Sequence, residues 1–441
     1  MLKFLKRFFD LQSITLLKNS SWVFVSNFIG AVLAFAKAIL VARLLGAESY
    51  GVFTVIIVFI GTIIEVFNLN LGAALIRFGS GYNTEGRNDK VLALIKASLL
   101  ASCLVLTVSV LATTLFTLFS YDSFILKPDL EWFSILYAIA AGSVFFNQIG
   151  RSALRLFFRF KKNALIQIVL DLIDFSVIVT ALLFYPSRLD IFLTAVLITT
   201  FINGVIPNIA AWKELKPELP GWTDVSIKSI LPDLKPIRSF VFRNSLAKTL
   251  QSLTNKGDVL ILGLLSANPV QVGLYAVGKK LAYYVLMFTD PLVTSVYPQF
   301  CKLREEKNHS AILKMIRRLT LLSAGPAVLF VSLSFLIGEW AVTLIFGKDY
   351  TSAGVTFGVL SISAALQASL FWMQPLLQAF DLMSQRVWVF LTGIITGAAA
   401  AWLLVPVSGS TGMAWAVVVS QLIMTSFFLT LVFKKVNSGI E

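Results

Sequence analysis

ARLLGAESYGVF, residues 42–53, breaks two long apolar runs with Arg43, Glu48 and two glycines. A counterpart, LGLLSANPVQVGLYAV, follows at residues 262–277. Superposing Leu44-Leu45-Gly46-Ala47 on Leu264-Leu265-Ser266-Ala267 gives an offset of 220 residues, and after two inserted residues Gly51-Val52-Phe53 meets Gly273-Leu274-Tyr275. Each stretch reads as a polar-bearing helix that reaches the outer membrane surface, turns through small residues and re-enters from a Gly-aromatic start. Glycine permits the turn's backbone conformation, and Tyr50 and Tyr275 are expected in the interfacial belt.

The rest of the chain places these turns in a membrane protein. Hydrophobic residues make up 57% of the 441 residues and charged residues 14%, with mean hydropathy +0.83; soluble domains carry roughly one quarter charged residues. Apolar stretches of about 20 residues, each able to cross a ~30 Å hydrocarbon core as a helix, follow one another along the whole length. Twelve spans are expected: 20–42, 52–78, 91–119, 132–156, 163–185, 189–212, 238–265, 270–299, 314–345, 354–380, 384–405 and 409–433. Long, unalternating runs point to helices and not barrel strands. The start, MLKFLKRFFDLQSITLLKN, has no small-residue cleavage site and reads as an amphipathic surface helix.

The formal charge of +14 is sorted by side. Lys3, Lys6, Arg7 and Lys18 precede the first span, Arg87 and Lys90 follow the second, and Arg159, Lys161 and Lys162 follow the fourth. Lys213, Lys216, Lys228 and Lys235 lie in the longest linker, Lys302, Arg304, Lys307, Lys314, Arg317 and Arg318 follow the eighth span, and Lys434 and Lys435 end the chain. The opposite loops offer little beyond Lys127, Arg188 and Lys348. By the positive-inside rule both termini are cytoplasmic, and the charge excess reports topology, not nucleic-acid binding.

Six spans fall on each side of the 213–237 linker, KELKPELPGWTDVSIKSILPDLKPI, whose prolines mark an exposed connection. The expected organisation is an all-α polytopic membrane protein. An amphipathic segment (1–19) precedes an N-terminal six-helix lobe (20–212); the cytoplasmic linker (213–237), a C-terminal six-helix lobe (238–433) and a cytoplasmic tail (434–441) follow. An even number of spans per half sets the halves in the same orientation, a parallel pseudo-two-fold repeat as in alternating-access transporters.

LVARLLGAESYGVFTVIIVFIG with NLNLGAALIRF, residues 40–78, resembles the amino-terminal signature of oligosaccharide flippases. These are the O-antigen and polysaccharide exporters of the multidrug/oligosaccharidyl-lipid/polysaccharide superfamily. VLILGLLSANPVQVGLYAVGKKL (259–281), Tyr297-Pro298 and IFGKDYTSAG (345–354) are similar to later landmarks of that family. The resemblance implies two lobes around a central cavity in the bacterial cytoplasmic membrane, and a substrate of the undecaprenyl-pyrophosphate-oligosaccharide type moved from the cytoplasmic to the periplasmic leaflet. A polysaccharide polymerase and chain-length proteins are the implied partners, beside membrane lipids.

Ionisable groups in hydrocarbon face a cavity or a partner. In the seventh span Asn244, Lys248, Gln251, Asn255 and Asp258 recur at helical spacing beside Ser245, Thr249, Ser252 and Lys256, one broad polar face that lines a cavity or bonds neighbouring helices. In the first span Asn27, Gly30, Ala34 and Lys37 form a narrow stripe, expected to let the lobes approach and to set Lys37 opposite Asp258 as an outer gate. For Lys37, snorkelling to the headgroups is the alternative. Glu65 lies mid-span with Asn68 and Gly72, Arg77 near a cytoplasmic end, and Arg151 and Arg155 end the fourth span; Asp171, Asp174 and Asp290 are further carboxylates within spans. Lys37, Arg77, Arg151, Lys248 and Lys256 are candidates for a pyrophosphate-attracting wall, and Glu65, Asp174 and Asp258 for binding protons or sodium or for gating. A lipid II flippase shares the need for a basic cavity, whereas a multidrug cation antiporter favours carboxylates. A membrane glycosyltransferase or ligase needs a clustered acidic site and large outer loops. His309, the sole histidine, sits in a charged loop and is expected solvated, so a histidine-based acyltransferase has no base, and no Cys/His spacing suggests a metal. No catalytic residue and no cofactor is expected.

Overall fold

The structure, a computed structural model, describes residues 11–120, residues 130–289 apart from 187, 220, 223 and 267, parts of 292–306, and residues 308–380 and 383–438. The start of the amphipathic segment (1–10), the 121–129 loop, Asp290, Pro291, Tyr297 and Pro298 lie outside them. Helices run α1 (Leu11–Phe67), α2 (Leu71–Thr84), α3 (Asn88–Ser120), α4 (Glu131–Gly142), α5 (Val144–Leu156), α6 (Phe160–Phe184) and α7 (Leu189–Leu215). They continue with α8 (Leu234–Ser266), α9 (Pro269–Tyr283), α10 (His309–Phe346), α11 (Ala353–Ser369), α12 (Met373–Ala379) and α13 (Met383–Ser438). No strand occurs among the described residues.

Among the described residues, seven stretches are long and apolar enough to cross a membrane: Ser21–Thr84, Asn88–Leu118, Glu131–Leu156, Phe160–Phe184, Leu189–Leu215, His309–Phe346 and Val387–Val432. The first has 64 residues; as straight helix it would reach ~96 Å, three times the hydrocarbon thickness, so it turns back. The turn is at Gly46, whose φ of 74° and ψ of 168° leave the helical region. Gly409, with φ 53°, breaks α13 between two expected spans in the same way. Asn68–Asn70 also interrupt the expected 52–78 span, with Asn70 left-handed at φ 44° and its N–H bonded to Asn68 Oδ1 at 2.9 Å. α8 has 33 residues, ample to cross, yet it is too polar to count among the seven.

The chain divides into two compact units. Of the described residues, the first comprises 11–44, 60–120 and 130–249, and the second comprises 45–59 and 250–438. In the first, α2, α3 and α5 pack around Leu75, Leu92, Ile95, Ile149 and Leu156. The 213–237 linker, expected to be an exposed connection, is instead docked on this core: Leu215, Leu219, Ile230 and Ile237 are buried in it. Its apolar residues are reason enough, since exposing them to water forfeits roughly 25 cal/mol per Å². Asp233 locks the docking by accepting from Lys90 Nζ at 2.6 Å and from the Tyr82 hydroxyl at 2.8 Å. Lys90, then Tyr82, hold the Asp233 carboxyl below the ordinary carboxylate range.

In the second unit the two equivalent turns meet. A Cβ on Gly51 would fall 1.8 Å from the Pro269 carbonyl oxygen, and one on Gly273 would fall 2.3 Å from the Ala47 carbonyl oxygen. Ala47 to Pro269 and Gly51 to Gly273 are both offsets of 222 residues, so each contact mirrors the other, as at a two-fold axis. Tyr50 and Tyr275 are enclosed by protein, 6% and 0% exposed. Tyr50 packs edge-on against Tyr350 with centroids 6.3 Å apart. His309, expected in solvent, is half-buried at the start of α10 with Nδ1 enclosed.

Candidate functional site

Among the described residues, paired charges within the long helices stand in each of the two units. In the first unit, Lys37 of α1 donates to Asp174 of α6. Gly30 and Lys37 are seven residues apart, on one side of α1, and that side faces α6: a Cβ on Gly30 would lie 2.7 Å from Asp171 Oδ2. Asp171 and Asp174, three apart, share a helix face, and Gln167 Nε2 donates to Asp171 Oδ1 at 2.6 Å. The Arg151 guanidinium acts electrostatically on Asp171 from α5, and its Nε is buried with no hydrogen-bond partner among the described residues. Buried Tyr137 of α4 lies within electrostatic range of Asp174.

The stripe expected to bring two lobes together therefore packs on α6 of its own unit. Glycine at position 30 makes room for a carboxylate, and Lys37 sits about two turns further along to neutralise the next one. Lys37 and Asp258, expected to form a gate, are each held by another partner. Each of the two charges has found a countercharge within its own unit, because a half-buried ion in a low-dielectric interior is stabilised by a nearby opposite charge.

In the second unit, Asp258 of α8, 7% exposed, is saturated with donors. Lys279 Nζ donates to Oδ2 at 2.5 Å, the Tyr275 hydroxyl to the same oxygen at 2.6 Å, and the Val259 N–H to Oδ1 at 2.8 Å. Lys279 also donates to the Asn255 carbonyl at 2.6 Å. A turn further along α9, Tyr283 bonds Ser363 at 3.0 Å, and Gln367 bridges towards Gln421 at 3.2 Å. Lys279, Tyr283 and Gln367 were not singled out from the sequence. Tyr275, Lys279 and Tyr283 stand at spacings of four, which puts them on one face and was the available signal.

The remaining candidates are scattered. Lys248, Asn255 and Lys256 are exposed on α8, and Gln251 is half-buried. Asn244 Nδ2 and Ser245 Oγ are buried without partners among the described residues. Thr249 donates to the Glu65 carbonyl at 3.2 Å, leaving the half-buried Glu65 carboxyl beside α8. Arg77 is exposed and stacks over Phe240 at 4.5 Å, a cation–π contact at a helix end. Among the described residues no three His, Cys, Asp or Glu side chains are placed to hold a metal ion.

The sequence family described as polysaccharide biosynthesis protein matches residues 16–304. No curated protein matches the chain. Among solved structures, an inward-facing multidrug resistance MATE family transporter of the MOP superfamily superposes with TM-score 0.71 at 14% identity, covering 93% of this chain and 95% of that one. A MOP superfamily transporter from Pyrococcus furiosus, described as having a binding pocket of reverse polarity, superposes with TM-score 0.66 at 13% identity over 97% and 96%. The Vibrio cholerae MATE transporter VcmN, in its bent form, gives 0.58 at 13% over 97% and 99%. At these identities the likeness is one of fold.

Proposed function

The chain belongs to the polysaccharide biosynthesis protein family, and on that premise we propose that it is a flippase of the bacterial cytoplasmic membrane. It moves a polyprenyl-pyrophosphate-linked oligosaccharide from the cytoplasmic to the periplasmic leaflet by alternating access. The observation that carries the reading is α8: at 33 residues it is long enough to cross, too polar to be surrounded by lipid, and it exposes Lys248 and Lys256 along its length. Exposed ammonium groups at membrane depth attract a pyrophosphate strongly because little water screens them. Arg151, with a buried unbonded Nε, supplies a further donor for an anionic group. The lipid tail stays in the bilayer while the sugar passes.

The carboxylates support an anionic substrate over a cationic one. Asp174 and Asp258 are already held by Lys37 and Lys279, so a cationic drug would have to displace a lysine to reach them. A coupling proton or sodium ion at Asp174 or Asp258 faces the same competition, and its binding would release a lysine towards the substrate; Glu65 is the carboxylate beside α8. A polysaccharide polymerase and chain-length proteins are the partners this role implies.

The test is complementation of a deletion strain. Lys248→Ala with Lys256→Ala should cut polysaccharide export at least tenfold at matched membrane abundance, with lipid-linked oligosaccharide accumulating on the cytoplasmic side, and Lys256→Arg should be milder than Lys256→Ala. Full export from the double variant would remove α8 from the substrate path. Accumulation of lipid II instead would move the assignment to that substrate.

A further inference from the structure

A cavity of about 370 Å³ opens where α7 meets the linker in the first unit, the end expected to be cytoplasmic, within the range of ligand pockets. Its walls come from α3 (Ile95), α5 (Ile149, Ala153) and α7 (Ala211, Trp212), and the docked linker closes it with Trp222. The walls are almost wholly apolar, and the two indoles meet edge-on with centroids 4.6 Å apart. The core of the unit ends here because the linker, and not another membrane helix, forms the last wall.

Two observations say what fills it. On α7, Ile198, Phe201, Ile209 and Trp212 are exposed by 37–52%, an apolar stripe of the kind that faces lipid, and Ile209 and Trp212 are also pocket residues. The mouth therefore opens on the lipid side. Beside it the charge is positive. Lys213 lines the pocket, whereas the neighbouring acids are already engaged, Glu214 with Lys162 at 3.0 Å and Glu218 with Arg159. Lys216 is exposed one turn on from Trp212. Tryptophan and lysine at the end of a span mark headgroup depth.

We propose that this pocket holds one acyl chain of an anionic phospholipid of the cytoplasmic leaflet, with Lys213 at the lipid phosphate. The lipid acts as a wedge between the helical core and the linker, so occupancy stabilises the docked linker. The site is separate from the α8 path and does not depend on the identity of the transported molecule.

Purified full-length protein is titrated with phosphatidylglycerol or phosphatidylcholine carrying brominated chains, which quench nearby indoles. The Trp222 signal is isolated by difference from Trp222→Phe, since the chain has nine tryptophans. Half-quenching by the phosphatidylglycerol is expected at about fivefold lower lipid fraction than by the phosphatidylcholine, the worth of one lysine near an anionic headgroup. Lys213→Gln should erase that preference, and Ala153→Leu or Ala211→Leu, filling the cavity from opposite walls, should abolish Trp222 quenching while the other tryptophans still respond. Equal quenching by both lipids overturns the anionic assignment, and Trp222 quenching that survives both filling variants overturns the pocket. Displacement of the phosphatidylglycerol by equimolar polyprenyl phosphate gives the site to a polyprenyl chain and likewise overturns the proposal.

Discussion

Gly51→Ala and Gly273→Ala test the contact between the two equivalent turns. Ordinary van der Waals contact begins at about 3.4 Å for a Cβ, and the new methyls would sit 1.8 Å from the Pro269 oxygen and 2.3 Å from the Ala47 oxygen. The first needs a displacement of about 1.6 Å and the second of about 1.1 Å, against backbone atoms that cannot rotate aside. Overpacking of this kind costs about 1–3 kcal/mol, occasionally more, so Gly51→Ala should be the worse of the two. Because both changes strain one interface, the double variant should cost less than the sum. Gly61→Ala is the control: it lies in the same helix with nothing within 4 Å, and alanine favours a helix by up to ~1 kcal/mol. The assay is the apparent melting midpoint of detergent-solubilised protein, read as monodisperse protein surviving heating at a fixed rate. Midpoints for Gly51→Ala and Gly273→Ala equal to that of Gly61→Ala would refute the backbone contact and the two-fold built on it.

The ion pair of the first unit makes a further prediction: Lys37→Ala strands Asp174 and should lower the apparent midpoint by the equivalent of about 1–3 kcal/mol, less than for a fully buried pair because both side chains keep some exposure, while Lys37→Ala with Asp174→Ala should recover most of it. Equal melting of the single and double variants would show that the pair does not form. Linker docking should depend on acid: Asp233 binds its proton less readily when docked than its ordinary value of 3.8, so its stabilising contribution is complete above that value and is lost as pH falls through the depressed one. Trp222 emission should shift to that of a solvated indole as acid is added, and Asp233→Asn should already show part of the shift at pH 7; an acid response identical in Asp233→Asn assigns the transition to another group.

Much of the fold was legible because the bilayer imposes it. Twenty-residue apolar runs and small-residue breaks are strong local signals, and the breaks at Gly46 and Gly409 fall where the runs end. The internal repeat located the paired turns, but it did not reveal that they touch, since an offset along the chain carries no distance. The linker was misread for a related reason. Prolines point to exposure, whereas Leu215, Leu219, Ile230 and Ile237, spread among them, are buried once α3 and α5 offer an apolar surface. That Tyr275 is enclosed by protein was not legible either, because its hydroxyl donates to a carboxylate, Asp258, seventeen residues away.

The charged sites were legible as residue types and not as pairs. Lys37, Asp174 and Asp258 are conspicuous in apolar runs, but pseudo-symmetry joined Lys37 to Asp258, whereas helix packing joins it to Asp174. Matched spacing held the better clue: Gly30 and Lys37 span two turns of α1, and Asp171 and Asp174 nearly one of α6, so a small residue can oppose the first carboxylate while a cation opposes the second. Each unit thus carries its own neutralised pair. An anionic headgroup can recruit Lys37 only by competing with Asp174, and the competition is winnable where a pyrophosphate brings more than one negative charge to one lysine. By the same logic, a proton on Asp174 would strand Lys37, and a bound anion would restore its countercharge. Were Lys37 to hold the substrate's anion as proposed, neutralising Asp174 by Asp174→Asn would strengthen anion binding, because the lysine would have no competing carboxylate.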